Sequence, residues 1–148
     1  DPFNVGHTFL SIEQEENKRT LGFYPANSAY PSNPSDYSQL KDNAGKSGDL
    51  SVTFEISAQE LDRLLNYIKK DTPNTYHLND FNCTNWVVEA CARMGIDLPK
   101  NSGWFPGGGG LCPGQFGEDM RNFTLDGRAV TKHSSDQSVT WISTASSI

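Results

Sequence analysis

Apolar residues recur along the chain with two different periods, and the change of period marks out the elements. Cys83, Trp86, Val87, Ala90 and Met94 follow i, i+3, i+4, i+7 and i+11, one face of an amphipathic helix. Asn79, Asp80 and Asn82 are good N-cap residues, so this helix is predicted to open between Asp80 and Cys83. Gly95 supplies its stop, with Ile96, Leu98 and Pro99 beyond. A second helix is predicted from Ser57-Ala58-Gln59-Glu60, a capping box, with Leu61, Leu64, Leu65 and Ile68 at helical spacing and an end near Lys69-Lys70. Period two governs residues 5–12, where His7, Phe9 and Ser11 share a face, and residues 49–56. Residues 20–24 return as a strand closed by Pro25, joined to the first by a polar hairpin connection around residues 15–18.

Elsewhere the pattern is weaker. Residues 26–49 hold Pro31, Pro34, Gly45, Gly48 and many Ser, Asn and Asp, with neither period, and are predicted to be a long functional or covering loop. Residues 101–114 carry four consecutive glycines and are predicted to be a flexible surface loop, or a lid beside a cleft with Trp104 and Phe105 as its apolar contacts. A short helical turn is expected over 115–123, closing strands over 128–132 and 138–142, and a frayed polar end from 143. The sum is an α+β fold: an antiparallel sheet packed on the central helix, the second helix alongside, in a single domain over 1–148.

Composition narrows the functions. The 12 Lys and Arg against 18 Asp and Glu give a net charge of −6 with no basic cluster, which argues against a nucleic-acid partner. No apolar run approaches the ~20 residues of a membrane span. Asp1 stands just before a strand-like run, which fits a mature form or a piece of a longer chain equally. Three cysteines are an odd number, so pairing of Cys91 with Cys112 would leave Cys83 over. Cys83 and Cys91, eight residues apart on one helix, are about 12 Å apart and cannot bridge. There is no C-x-x-C and no H-x-x-x-H, so neither a metal nor another cofactor is expected.

Cys83 falls in the first helical turn, where the dipole and the free N–H groups lower a thiol pKa and can hold an oxyanion; Asn82 and Thr84 are the expected first-turn supports. A thiol nucleophile needs a base, and three histidines are available: His7 in the first strand, His77 just before the helix and His133 at the end of a strand. The plain alternative is that Cys83 is a small buried hydrophobe and His7 a histidine bonded to backbone.

Gly6-His7-Thr8-Phe9 on an early strand, Gly22-Phe23-Tyr24-Pro25 after the hairpin, and Asn82-Cys83-Thr84-Asn85-Trp86 at a later helix start resemble the circularly permuted papain-like hydrolases of the NlpC-type superfamily, which includes the lecithin–retinol acyltransferase-like enzymes. The resemblance covers under half the chain. It implies a papain-like fold, a Cys83 nucleophile and a His7 base acting on amide or ester bonds. The unpermuted order would instead take Cys83 with His133, and Asp136 as orienter. The acyltransferase-like members use a second polar residue, often His, on the next strand, and no second His follows here. Pairing about the hairpin sets His7 opposite Ala26 or Asn27, so Asn27 is the expected third member, with Tyr24, Ser11 and Glu13 as alternatives. Tyr24, Trp104 and Phe105 are expected to line the substrate cleft, flanked by 26–49 and 101–114. The implied activity is a cysteine peptidase or amidase on peptidoglycan peptides, secreted or periplasm-acting, a bacterial effector or toxin with a cognate inhibitor or immunity protein as partner, and monomeric. An acyltransferase or lipid-modifying enzyme and a non-catalytic binding module are the rival classes.

Overall fold

In a computed structural model, the described residues are 6–46, 48–105 and 108–134, with the backbone of 139–144. The chain begins with a meander. Strands β1 (Leu10–Gln14) and β2 (Asn17–Pro25) pair antiparallel through a tight turn at Glu15-Glu16, with Glu15 at φ 55°. The predicted first strand is thus displaced toward the C-terminus. Residues 6–9 leave the ladder because they run to another element, as shown below.

Strand β3 (Ser35–Asp42) then pairs with β2, inside the segment expected to be a loop. Its sequence, Ser-Asp-Tyr-Ser-Gln-Leu-Lys-Asp, hides the strand because Leu40 is its one aliphatic side chain packed on the core, while Tyr37 is 77% exposed. Backbone ladders on both sides hold it, to β2 and to β5 (Thr75–His77). The resulting sheet has the order β1-β2-β3-β5.

Strand β4 (Leu50–Phe54) belongs to a second antiparallel sheet, β4-β8-β9, completed by β8 (Ala129–Ser134) and β9 (Val139–Thr144). The strands expected to share one sheet are therefore split between two. Helix α1 (Ala58–Asn66) starts on the predicted capping box, Ser57 Oγ accepting from Glu60 N and Glu60 accepting from Ser57 N. It continues as a wider π turn over Tyr67–Asp71, whose first two carbonyls, of Tyr67 and Ile68, accept from the Thr72 hydroxyl.

Helix α2 (Cys83–Arg93) is capped by Asn82, and Gly95 at φ 81° follows its end. Cys83, Trp86, Val87, Ala90 and Met94 are all buried, as the periodicity requires. Trp86 fixes the helix on the first sheet: its ring lies nearly parallel to Phe23 of β2 at 6.3 Å, and Phe23 also stacks on Tyr76 at 5.5 Å. Phe23 points into this core, so Gly22 and Tyr24 face the other side of β2.

The glycine run is a docked hairpin rather than a free loop. Strands β6 (Gly103–Phe105) and β7 (Gly108–Gly110) pair, and β7 lies against Asn79. A Cβ at Gly108 would come 2.2 Å from Asn79 Nδ2, and one at Gly110 2.3 Å from Asn79 O, so only glycine permits the approach. Helix α3 (Pro113–Met120) follows, two residues earlier than predicted. Among the described residues no helix is long and apolar enough to cross a membrane. The expected orienter Asp136 and the polar end from 145 lie outside the described residues.

Candidate active site

The N-cap of α2 comes first, because it fixes Cys83. Asn82 is 4% exposed and all of its side-chain capacity is used. Its Oδ1 accepts from Thr84 N (2.9 Å) and Asn85 N (3.3 Å). Its Nδ2 donates to Leu78 O (3.0 Å) and Leu111 O (2.6 Å), tying the preceding turn and the end of the glycine hairpin to the helix start. Asn85 returns a bond, its Oδ1 accepting from Asn82 N at 2.9 Å. Asn82→Ala should therefore cost more than an ordinary cap, about 2–4 kcal/mol, because two carbonyls also lose their donor. Asn82→Asp keeps the cap acceptor and should fall between. Urea unfolding measures both.

Cys83 lies at this start, 4% exposed. Its sulfur accepts from the backbone N–H of Thr8 at 3.4 Å. The Thr8 hydroxyl is 2.8 Å from that of Thr84, which is fully buried. Residues 6–9 leave the β1 ladder to make these contacts with α2. Thr84 thus serves as a clamp between segments. Its amide donates to Asn82 Oδ1. The Cys83 amide is the other first-turn donor, and buried Tyr76 lies near enough to Cys83 for its phenol to feel that residue, burial pushing the phenol pKa well up.

One residue before Thr8, His7 Nε2 is 3.0 Å from Oδ1 of Asn43, which lies just past the end of β3 and is 4% exposed. An amide oxygen accepts, so Nε2 carries the ring proton and Nδ1 is the bare nitrogen of the neutral imidazole. Tyr24 supports the pair. Its hydroxyl donates to Asn43 Oδ1 (3.1 Å) and accepts from Asn43 Nδ2 (2.9 Å), and its ring centroid is 4.5 Å from that of His7. Phe9 stacks on His7 at 5.7 Å. Gly22 leaves the space for the pair: a Cβ there would sit 2.2 Å from Asn43 Oδ1 and 2.6 Å from His7 Nε2.

Asn27, the expected third member, is elsewhere. It is exposed, and its amide donates to Asp36 at 2.7 Å. The two-residue turn sets the β1–β2 register at Leu10↔Leu21, which continues to His7 opposite Tyr24 rather than Asn27. Ser11 bonds Thr20 at 2.9 Å and Glu13 pairs with Lys18 at 3.6 Å, so neither orients His7. His77 is a structural cap, its Nδ1 accepting from the amides of Asn79 and Asp80 at 3.1 Å each. His133 is exposed on β8, in a different sheet from the strand that follows His7. Of the cleft candidates, Tyr24 is at the site; Trp104 is 92% exposed on the hairpin that borders the α2 start, with Phe105 half-buried beside it.

All three cysteines are buried free thiols. Burial raises the Cys83 pKa, against the lowering expected from the helix dipole, while donors from Thr8 and Thr84 pull the other way. Burial alone pushes Cys91 up to about 12, with no donor opposing it. Desolvation lowers the His7 pKa, Asn43 opposing it and the Lys46 charge adding to it. Near neutral pH both shifts favour the uncharged forms, a neutral Cys83 thiol and a neutral His7 imidazole. Among the described residues no three His, Cys, Asp or Glu side chains gather as metal ligands.

Sequence reasoning missed Asn43, Gly22, Tyr76 and the Thr8–Thr84 clamp. Recognising β3 would have exposed Asn43, since its amide donates to Thr20 O at 2.8 Å just beyond the ladder. No family model, curated protein or solved structure matches the chain, so its functional reading stands on this geometry.

Proposed function

We propose that this protein is a cysteine hydrolase of amide bonds, with Cys83 as nucleophile, His7 as general base and acid, and Asn43 as the group that orients His7. One observation carries the reading. Consecutive residues of one short segment reach both partners: His7 meets Asn43, and the Thr8 amide meets the Cys83 sulfur. A structural cysteine does not need a backbone donor on its sulfur, nor a nearby histidine a buried amide fixing its tautomer.

In the reaction, His7 Nδ1 takes the thiol proton as sulfur attacks the carbonyl carbon. The C–S bond forms and the carbonyl electrons move to oxygen, for which the Cys83 amide at the helix start is the proposed donor. Collapse breaks the C–N bond, and the imidazolium returns its proton to the leaving amine. Water, deprotonated by His7, then attacks the thioester; the C–S bond breaks, the imidazolium gives its proton back to sulfur, and the acid is released. Asn43 holds Nε2–H through both halves.

Since His7 must be neutral to accept a proton, activity falls as pH drops through its pKa. Burial places that acid limb below the ordinary 6.5. A kcat/KM profile between pH 4 and 8 should show it, and a limb above 6.5 contradicts the assignment.

Peptidoglycan peptides are the proposed substrate and a permuted papain-like arrangement the proposed fold family, on the strength of the His-first, Asn-Cys-later order. The assay is peptide release from purified bacterial wall, read by mass spectrometry, with a phospholipid ester alongside. Release that depends on Cys83 supports the amidase; ester turnover without release moves the activity to the acyltransferase class. Inertness toward both, with Cys83 unreactive to alkylation, leaves a binding module.

A further inference from the structure

Two lysines flank the His7 side of the site, in a chain of net charge −6. Lys41 stands opposite Gly22 in the β2–β3 register, so its side chain leaves the sheet on the face where His7 and Asn43 meet. Its ammonium is 4.9 Å from the centroid of the Tyr24 ring, the ring that packs on His7. Lys46 closes the turn that Asn43 opens, its amide donating to Asn43 O at 2.9 Å. Two residues on, the chain passes Phe9: a Cβ at Gly48 would lie 3.9 Å from Phe9 Cζ, and Phe9 stacks on His7. Lys46 thus stands one turn from the Asn43 that holds the imidazole, and its charge acts on His7.

Both lysines are exposed, and among the described residues no carboxylate holds either ammonium. The adjacent Asp42 is turned to the Ala44 amide at 2.8 Å. Two exposed ammoniums beside the His7–Asn43 bond raise the local concentration of anions.

We infer that Lys41 and Lys46 form an anion-selecting rim, and that the substrate is a peptide with a free carboxylate near the scissile amide, held on the His7 side. This rests on Cys83 being the nucleophile.

The test needs no known substrate. Iodoacetate and iodoacetamide are nearly the same size and both alkylate sulfur with loss of iodide, but only the first is anionic. Their rates at Cys83 in the intact protein are read by peptide mass spectrometry at pH 8 and low salt. The iodoacetate-to-iodoacetamide ratio should fall about three-fold in Lys41→Gln and in Lys46→Gln, and about ten-fold in the double variant. High salt should erase most of the difference. With matched peptides ending in carboxylate or amide, the double variant should raise KM for the carboxylate alone and leave kcat unchanged. A ratio unmoved in the double variant overturns the rim. A Cys83 that reacts with both reagents no faster than Cys91 and Cys112 overturns the nucleophile beneath it instead. Lysine-dependent hydrolysis of anionic phospholipid vesicles, with no lysine effect on peptides, assigns the anion to a lipid headgroup and overturns the peptide.

Discussion

Cys83→Ser should lower amide hydrolysis by at least about three orders of magnitude while leaving the fold in place. The hydroxyl nearly conserves volume, so the buried site at the start of α2 stays filled and the Thr8 amide keeps an acceptor. What changes is acidity. A serine hydroxyl is far less acidic than a thiol, and His7, whose basicity is already reduced by burial, cannot make it comparably nucleophilic. Cys83→Ala removes the nucleophile altogether and should abolish turnover. His7→Ala should cost about two to four orders in kcat, the range for a lost general base and acid. Circular dichroism and thermal melts accompany the rates, so that a folding defect is separated from a chemical one.

Gly22→Ala should also produce a large loss, from a single methyl group. Gly22 has no positive φ, so its backbone accepts alanine without strain. The new Cβ would enter the His7–Asn43 bond, 2.2 Å from Asn43 Oδ1 and 2.6 Å from His7 Nε2. The pair must separate, and with it goes the constraint on ring orientation and tautomer. A kcat loss of about a hundred-fold is expected, near that of removing the orienting group itself. Overpacking costs about 1–3 kcal/mol, and the alanine recovers about 0.5–1 kcal/mol of backbone entropy, so the protein should stay folded. Nitrogen NMR of labelled histidine provides an independent reading. The wild-type protein should show His7 protonated at Nε2, and the variant a mixture of tautomers.

The legible parts of the chain are those whose side chains alternate between core and solvent. Helix α2 was readable because Trp86, Val87 and Ala90 each bury against other elements, and its cap because Asn82 is chemically suited to it. Strand β3 was not readable, because backbone ladders on both edges hold it and one aliphatic residue packs it. Missing β3 hid Asn43, and the third member was sought in the hairpin register instead. The glycine run misled for a related reason. Glycines 108 and 110 read as flexibility, yet they are what lets β7 press against Asn79. His7 and Cys83 were named from short motifs and their order, but the Thr8–Thr84 clamp that joins their segments has no sequence pattern, being one bond between two distant threonines.

If Cys83 is a nucleophile served by His7, p-nitrophenyl acetate should acylate it without any natural substrate. The acetyl group should appear on Cys83 alone in peptide mass spectra, with Cys91 and Cys112 untouched. It should disappear in Cys83→Ala and form about a hundred-fold more slowly in His7→Ala. Acetyl spread over all three cysteines, or a His7→Ala protein acylated at the wild-type rate, would contradict the account.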